Sequence, residues 1–252
     1  MKTLNNNKIK GYKGFNKNLK CKNFQYEIEK ELTLQELIKE GIEYISKKVK
    51  IKKRNSATSD NFSNSATSGN YSNSVTSGNF SHSATSGYNS NSATSGNFSH
   101  SAISGEYSHS VTSGDYSNSA TSGDNSYSVT SGNKSNSATS GDFSNSITYG
   151  NNSHSLTAGD DSNSITHGKY SHSVTAGEYS HSEVNGKESV AAGFGKNNKV
   201  KGELGSWIVL SEWKRDNNDN WYITSIKSAK VDGKKIKPNI WYQLKNGKFV
   251  EV

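Results

Sequence analysis

The sequence predicts an all-β protein: a parallel β-solenoid of nine-residue repeats, two to a coil, with an N-terminal capping helix and a small C-terminal antiparallel β domain. Three observations predict it. A phrase close to N/H-S-A/V-T-S-G-x-Y/F-S recurs fifteen times without losing phase between Asn55 and Ser189. Hydrophobic residues make up only 29 % of the 252 residues, against about 45–50 % in an ordinary globular domain, so one conventional core cannot hold the chain. The large apolar residues that do occur gather towards the two ends. The resulting division is 1–54 for an N-terminal β segment and capping helix, 55–204 for the solenoid and 205–252 for the C-terminal strands.

The N-terminal part reads as a short β segment over Tyr12–Lys30, then a helix over about 34–50. Thr33 and Glu36 form a capping box. Leu34, Leu37, Ile38, Ile42, Ile45 and Val49 share one helical face, and Lys47, Lys48 and Lys50 complement the dipole of the last turn. Such a helix would cover the first open rung of a solenoid, which would otherwise invite end-to-end association.

In the repeat, Ser holds the second and ninth places of all fifteen units, Thr the fourth in thirteen and Gly the sixth in fourteen. Glycine at a constant phase is expected to mark a turn needing positive φ, and the S-A-T-S stretch reads as a strand of four or five residues. One unit cannot form a core, but stacked units pair their backbones rung upon rung. Through the first eleven units, Val and Ile at the third place fall only in odd-numbered units and Ala fills every even one. That period of two gives eighteen residues per coil, about seven and a half coils and a rod of roughly 35 Å. Two facings are open. With the third place inward, Ser and Thr form outward hydroxyl ladders; with it outward, Ser and Thr fill a tight polar interior and Ala, Val and Ile make a sticky stripe. Alternating volume favours the first facing, which is the expectation adopted; the constancy of Ser and Thr favours the second.

The C-terminal part contains strand-like stretches at Gly205–Trp213, Asn220–Val231, Asn239–Leu244 and Lys248–Val252, separated by turn signals at Asp216–Asp219, Asp232-Gly233 and Asn246-Gly247. An antiparallel meander is expected. Its four Trp are expected in the core.

Two resemblances rest on these residues. The phrase S-V-A-A-G at Ser189–Gly193 resembles the S-V-A-x-G phrase of trimeric autotransporter adhesin heads, and the G-x-x-S spacing of Gly177–Ser180 and Gly186–Ser189 is similar. That resemblance covers the solenoid alone; it implies a left-handed parallel β-roll and homotrimers. Tyr12, Lys13, Gly14, Phe15, Asn16, Lys17, Leu19, Cys21, Phe24, Gln25, Tyr26 and Glu27 match the opening Y-K-G-F-N-K-x-L-x-C-x-x-F-Q-Y-E of a family of phage and bacterial proteins of uncharacterised function. The W-I-V-L-x-E-W and V-D-G-K-x-I-K phrases near the C-terminus resemble the tail of the same family, whose middle is often repetitive. A G-F-H-A-C-type segment usual in that family is missing here. The resemblance implies a phage setting and no activity.

Charge is segregated: residues 1–54 carry net +9, 55–189 net −7 and 190–252 net +6, which together give the chain's +8. Cys21 is the only cysteine, so no disulfide forms within one chain. Neither a secretory signal of the usual form nor an apolar run of membrane-spanning length is found, so a cytoplasmic or virion-associated location is expected, without membrane contact. Cys21 lies between Lys20 and Lys22 with no nucleophile partners nearby, and enzymatic activity is not expected.

The candidate binding surface is the aromatic series at the eighth place: Phe62, Tyr71, Phe80, Phe98, Tyr107, Tyr116, Phe143, Tyr170 and Tyr179. It could stack on sugars or on another chain, or simply shield the turns. All seven His lie in the repeat, and an eighteen-residue coil stacks His82 on His100 and His154 on His172. Interchange with Asn at the first place makes a turn-lining ladder the simpler reading than a metal site. Calcium would need G-G-x-G-x-D and several acids per ion, which the units lack, so no metal or cofactor is expected. The overall expectation is a non-catalytic, homo-oligomeric rod, dimer or trimer, that presents a repeated surface to a protein or glycan partner. The alternatives are a glycan- or ice-binding module using Ser/Thr and aromatic ladders, and nucleic-acid binding through the basic termini. For the latter, "KKVKIKKR" is more simply a solvated helix end.

Overall fold

A computed structural model describes residues 55–252, together with four two-residue strands nearer the N-terminus: Lys8–Ile9 pairs with Leu32–Thr33, and Lys20–Cys21 with Phe24–Gln25, both antiparallel. The helix expected over 34–50 lies outside the described residues. Met1–Lys52 and Lys53–Val252 are separate compact units, and the second contains the whole repeat and the C-terminal strands.

Eighteen parallel strands, from Asn55–Thr58 to Trp207–Arg215, alternate between two sheets. Odd-numbered units build one sheet and even-numbered units the other. Each strand pairs with the strand eighteen residues away, as in His100↔Asn118 and Ala102↔Ala120, except at the last rung, where Val190 pairs with Trp207, seventeen residues on. The turns stack as well: the Gly96 amide donates to the Ser113 carbonyl at 2.8 Å and the Phe98 amide to the Asp115 carbonyl at 2.9 Å. Two units per coil is therefore correct. The path runs beyond the fifteenth unit, because Val190–Gly193, Lys199–Gly202 and Trp207–Arg215 keep the course after the Ser/Thr phrase has ended. The solenoid thus has nine coils, a column of about 40 Å at the usual rung spacing.

The interior reverses the adopted facing. Second-place Ser and fourth-place Thr point inward and are buried nearly throughout, while the third place faces outward. The two sheets lie so close that the Ser74 hydroxyl donates to Ser65 Oγ across the interior at 2.8 Å, Ser83 Oγ to the Ser74 carbonyl at 2.7 Å and Ser92 Oγ to Ser83 Oγ at 2.8 Å. So short a gap suits the small Ser at the second place, whose hydroxyl bonds across it, beside a fourth place filled by Thr or an apolar side chain of similar size. The alternation of Ala with Val and Ile is real, but it records two unlike outer faces. Ile103 and Val184, which replace Thr at the fourth place, are both buried and show that the fourth column tolerates an apolar side chain.

The ninth-place Ser forms a second internal ladder. The Ser72 amide donates to Ser90 Oγ at 3.0 Å, and Ser90 Oγ in turn donates to the Gly69 carbonyl at 3.2 Å, with Tyr88 carbonyl sharing the proton at 3.3 Å. One hydroxyl thus satisfies a buried amide below and a turn carbonyl, which accounts for its presence in every unit. The sixth-place Gly also has a reason beyond the one expected. A Cβ on Gly78 would lie 2.5 Å from the Asp60 carbonyl oxygen, and the glycines above are closer still to the rung beneath. Close vertical approach of backbone, more than positive φ, requires glycine here. Asp60, the one exception, belongs to the first coil, which has no described rung beneath it.

Positive φ occurs at Gly69, Gly78, Gly87, Gly96, Gly114 and Gly123, as expected, and also at the eighth place, at 50–60° in every unit from Phe62 to Asn197. Aromatic, Asn, Asp, Lys and Glu side chains all occupy it, although such a conformation costs a non-glycine residue about 1–2 kcal/mol.

At the upper end the interior turns apolar. Val184, Ala191, Val200, Ile208, Leu210, Val231, Ile236, Tyr242 and Leu244 form a buried cluster. The four expected C-terminal strands exist, but as two hairpins that extend different sheets. Trp207–Arg215 pairs with Trp221–Lys230 on the even sheet, and Tyr242–Lys245, paired with Lys248–Glu251, joins Lys199–Gly202 on the odd one. None of the four Trp is in this core; Trp207 and Trp221 are exposed and Trp213 and Trp241 half-buried. The two sheets leave too thin a space for indoles, and Tyr242, Ile208 and Leu210 fill it instead. No helix among the described residues is long and apolar enough to cross a membrane.

Candidate interaction surfaces

Two edges and two faces make up the outer surface of the column. The edges carry the turns. Phe62, Phe80, Phe98, Tyr116 and Tyr170 lie on the odd edge, and Tyr71, Tyr107, Phe143 and Tyr179 on the even edge. Phe62, Phe80, Phe98 and Tyr116 form one continuous stack with ring centroids 4.9–5.0 Å apart and planes within 10° of parallel. Lys134 continues it, its ammonium donating to the Tyr116 hydroxyl at 2.8 Å. On the even edge Tyr88 fits between Tyr71 and Tyr107. In the odd-edge stack the ring faces are turned to one another, so the stripe offers ring edges to a partner, while the end ring, Phe62, is the most exposed at 72 %. This favours the turn-shielding role over stacking on sugars.

The seventh place supports the same edges. Asn61, Asn79 and Asn97 each accept the amide of the next rung through Oδ1, and Asp124, Asp142 and Asp160 do likewise at 2.7–2.9 Å. The acids of this column thus serve the turn backbone. Among the described residues no group of three or more His, Cys, Asp or Glu is placed to hold a metal ion.

The expected histidine stacks are present: His82 on His100 at 5.0 Å and His154 on His172 at 4.9 Å, nearly parallel. Equivalent nitrogens in parallel rings are about as far apart as the centroids, which exceeds twice a metal–imidazole bond of about 2.1 Å. Partial burial, and then the neighbouring imidazole, lower the pKa of His100 and of His154; burial, and then Lys199, lower that of His181. On the odd face His167 stacks on Tyr149 at 4.6 Å and His109 leans on Tyr127 at 5.1 Å.

The faces differ from the edges in charge. Between Asn55 and Ser189 every charged residue except Glu183 occupies the sixth, seventh or eighth place, on a turn. Both sheet faces are therefore flat and without formal charge over most of their height. The even face presents Ala66, Ala84, Ala102, Ala120 and Ala138 between a column of Asn and His and a column of Ser. The odd face presents Val75, Val111, Val129, Ile147 and Ile165, flanked by Tyr127 and Tyr149, with Val111 42 % and Tyr149 48 % exposed. Sequence reasoning offered these residues as an outward sticky stripe only under the facing that was not adopted; the signal was the odd-unit alternation, assigned to the wrong side of the strand.

A concavity of about 260 Å³ lies between the two C-terminal hairpins over the last coil, lined by Lys196, Asn197, Glu212, Trp213, Trp221 and Gln243 among others. Its polar groups are largely committed to one another. Glu212 accepts the Asn246 and Gly247 amides at 2.8 Å each, Gln243 donates to the Asn197 carbonyl at 3.0 Å, and the Trp213 indole N–H donates to the Phe194 carbonyl at 3.0 Å. Lys196 pairs with Glu178 and lies over the Trp221 ring. The cleft is a joint that fixes the hairpins. No protein-family model, curated protein or solved structure matches this chain.

Proposed function

We propose that the chain is a non-catalytic, homo-oligomeric rod that spaces its ends and presents a repeated surface to a protein or glycan partner. The observation that carries this reading is the separation of charge from the two flat faces. Nine coils in one register keep every face residue on a straight column, and the turn-borne charges keep the edges wetted while leaving the faces bare. The mutual hydrogen bonding of the cleft residues supports a structural role for the C-terminal hairpins. The likeness of the opening and tail phrases to phage and bacterial proteins supports a virion or host-interaction setting. Light scattering of the full chain tests the oligomeric part: a single dimer or trimer is expected, and a monomer at high concentration overturns it.

A second reading is favoured by the even face, where Asn or His, Ala and Ser repeat at about 4.8 Å per rung as a regular array suited to ice or glycan. Its only outward hydroxyl column is the fifth-place Ser, because the second-place Ser and the Thr point inward. Thermal hysteresis or glycan-array binding abolished by Ala102→Lys is its expected signature; a lack of both removes it.

A further inference from the structure

We infer that the odd face is the self-association surface, and that a second copy of this chain covers the column Val75, Val111, Val129, Ile147 and Ile165 in a two-fold, face-to-face dimer. The inference rests on the oligomeric reading above and assigns its interface. Three observations support the assignment, and the second separates this face from the other. First, over seven coils, Asn55 to His167, its first, third and fifth places carry no carboxylate, ammonium or guanidinium, so an apposed copy buries no unpaired charge, the usual penalty at such a contact. Second, five of its seven third-place residues are Val or Ile, with Val75 43 % and Val111 42 % exposed, whereas the opposite face is Ala over its first five coils and carries Leu156 and Val174 only above them. Third, the size suffices. Seven rungs of five residues give a flat footprint of roughly 550 Å² per copy, or roughly 1,100 Å² in total, above the ~1,000 Å² that separates specific contacts from incidental ones.

The register also fits. A two-fold axis along the rod sets the third place of each coil against itself and the first place against the fifth. Tyr127 then meets the partner's Ser131, and Tyr149 the partner's Asn145, so a large side chain faces a smaller one at both positions. The stripe ends at its upper side where Trp241 lies against His181 and Lys201, which limits how far two copies can slide. An isologous contact of this kind closes at two copies, whereas odd face on even face would propagate without end.

The experiment compares the full chain with Val111→Lys/Ile147→Lys and, as a control, Ala102→Lys/Ala138→Lys on the even face, by light scattering over a concentration series. All four positions point outward, so circular dichroism and melting are expected to match wild type. The odd-face pair is expected to weaken the dimer at least about a hundredfold, since four ammonium groups would meet in the contact, and the control to leave it intact. Val111→Cys in a Cys21→Ser background is expected to be bridged to its partner by a bis-maleimide reagent spanning about 10 Å, the usual distance between packed sheets, and Ala102→Cys is not. A wild-type oligomer indifferent to the odd-face pair, or one broken by the control, overturns the interface and leaves the oligomeric reading standing. A monomeric wild type overturns both.

Discussion

Single positions in the repeat show what the fold demands. Twelve fourth-place Thr hydroxyls, from Thr58 to Thr166, are buried without a hydrogen-bond partner, and a buried hydroxyl so placed costs about 1–3 kcal/mol. Thr112→Val keeps the shape and removes the polar atom, so it is expected to stabilise by about 1 kcal/mol, read as a rise in melting temperature; a fall would show that the hydroxyl is bonded in solution. Gly96→Ala drives a Cβ into the Gly78 carbonyl and is expected to cost about 3 kcal/mol or more, whereas Ser95→Ala next to it, outward and exposed, is expected to be neutral. His100, His154 and His181 carry a pH dependence. Their pKa values are lowered in the fold, so the unfolded chain takes up protons first, and stability present above the ordinary imidazole pKa of about 6.5 is lost as pH falls below it. The melting temperature is expected to drop between pH 7.5 and 5, and His100→Asn/His154→Asn to flatten that drop. An equal drop in both proteins would assign the effect to other groups.

The strands and turns were legible to different degrees. The unit length, the coil period and the four C-terminal strands could be read directly, because glycine spacing and β-branched runs are backbone signals. The facing could not. Alternation of side-chain volume marks two unlike faces whichever side they occupy, and deciding the side required the distance between sheets, which no single strand encodes. The constancy of Ser and Thr was the better guide: buried places vary least when the space is this small. The aromatic columns were located correctly at the eighth place, but their left-handed backbone was hidden, since glycine two residues earlier drew the positive φ in expectation. The Trp placement failed for the same reason as the facing. The ninth-place ladder gives the element its own test. Ser108→Ala removes the acceptor of the Ser90 amide and the donor to the Gly87 and Glu106 carbonyls, and is expected to cost about 2 kcal/mol, measured by denaturant unfolding. An unchanged midpoint would show that the turns do not depend on it.

At the largest scale, the solenoid behaves as a stack whose parity matters. Deleting eighteen residues, 100–117, removes one coil and returns every later unit to its own sheet, so fold and dimer are both expected to persist. Deleting nine, 109–117, still offers each strand an equivalent neighbour but transfers Ile147 and Ile165 to the face that holds Ala102. The shorter deletion is therefore expected to fold and yet lose the dimer in light scattering; a nine-residue deletion that dimerises as wild type would count against the odd-face assignment. The direction of the backbone hydrogen bonds has a mechanical consequence. They run along the column axis, rung to rung, in the strands and in the turns alike. Tension applied at the two ends loads the rungs in series, and the weakest parts first, whereas compression presses every rung onto the next. Such a body is a strut rather than a rope, stiff when its ends are pressed together and ready to peel one storey at a time when they are pulled.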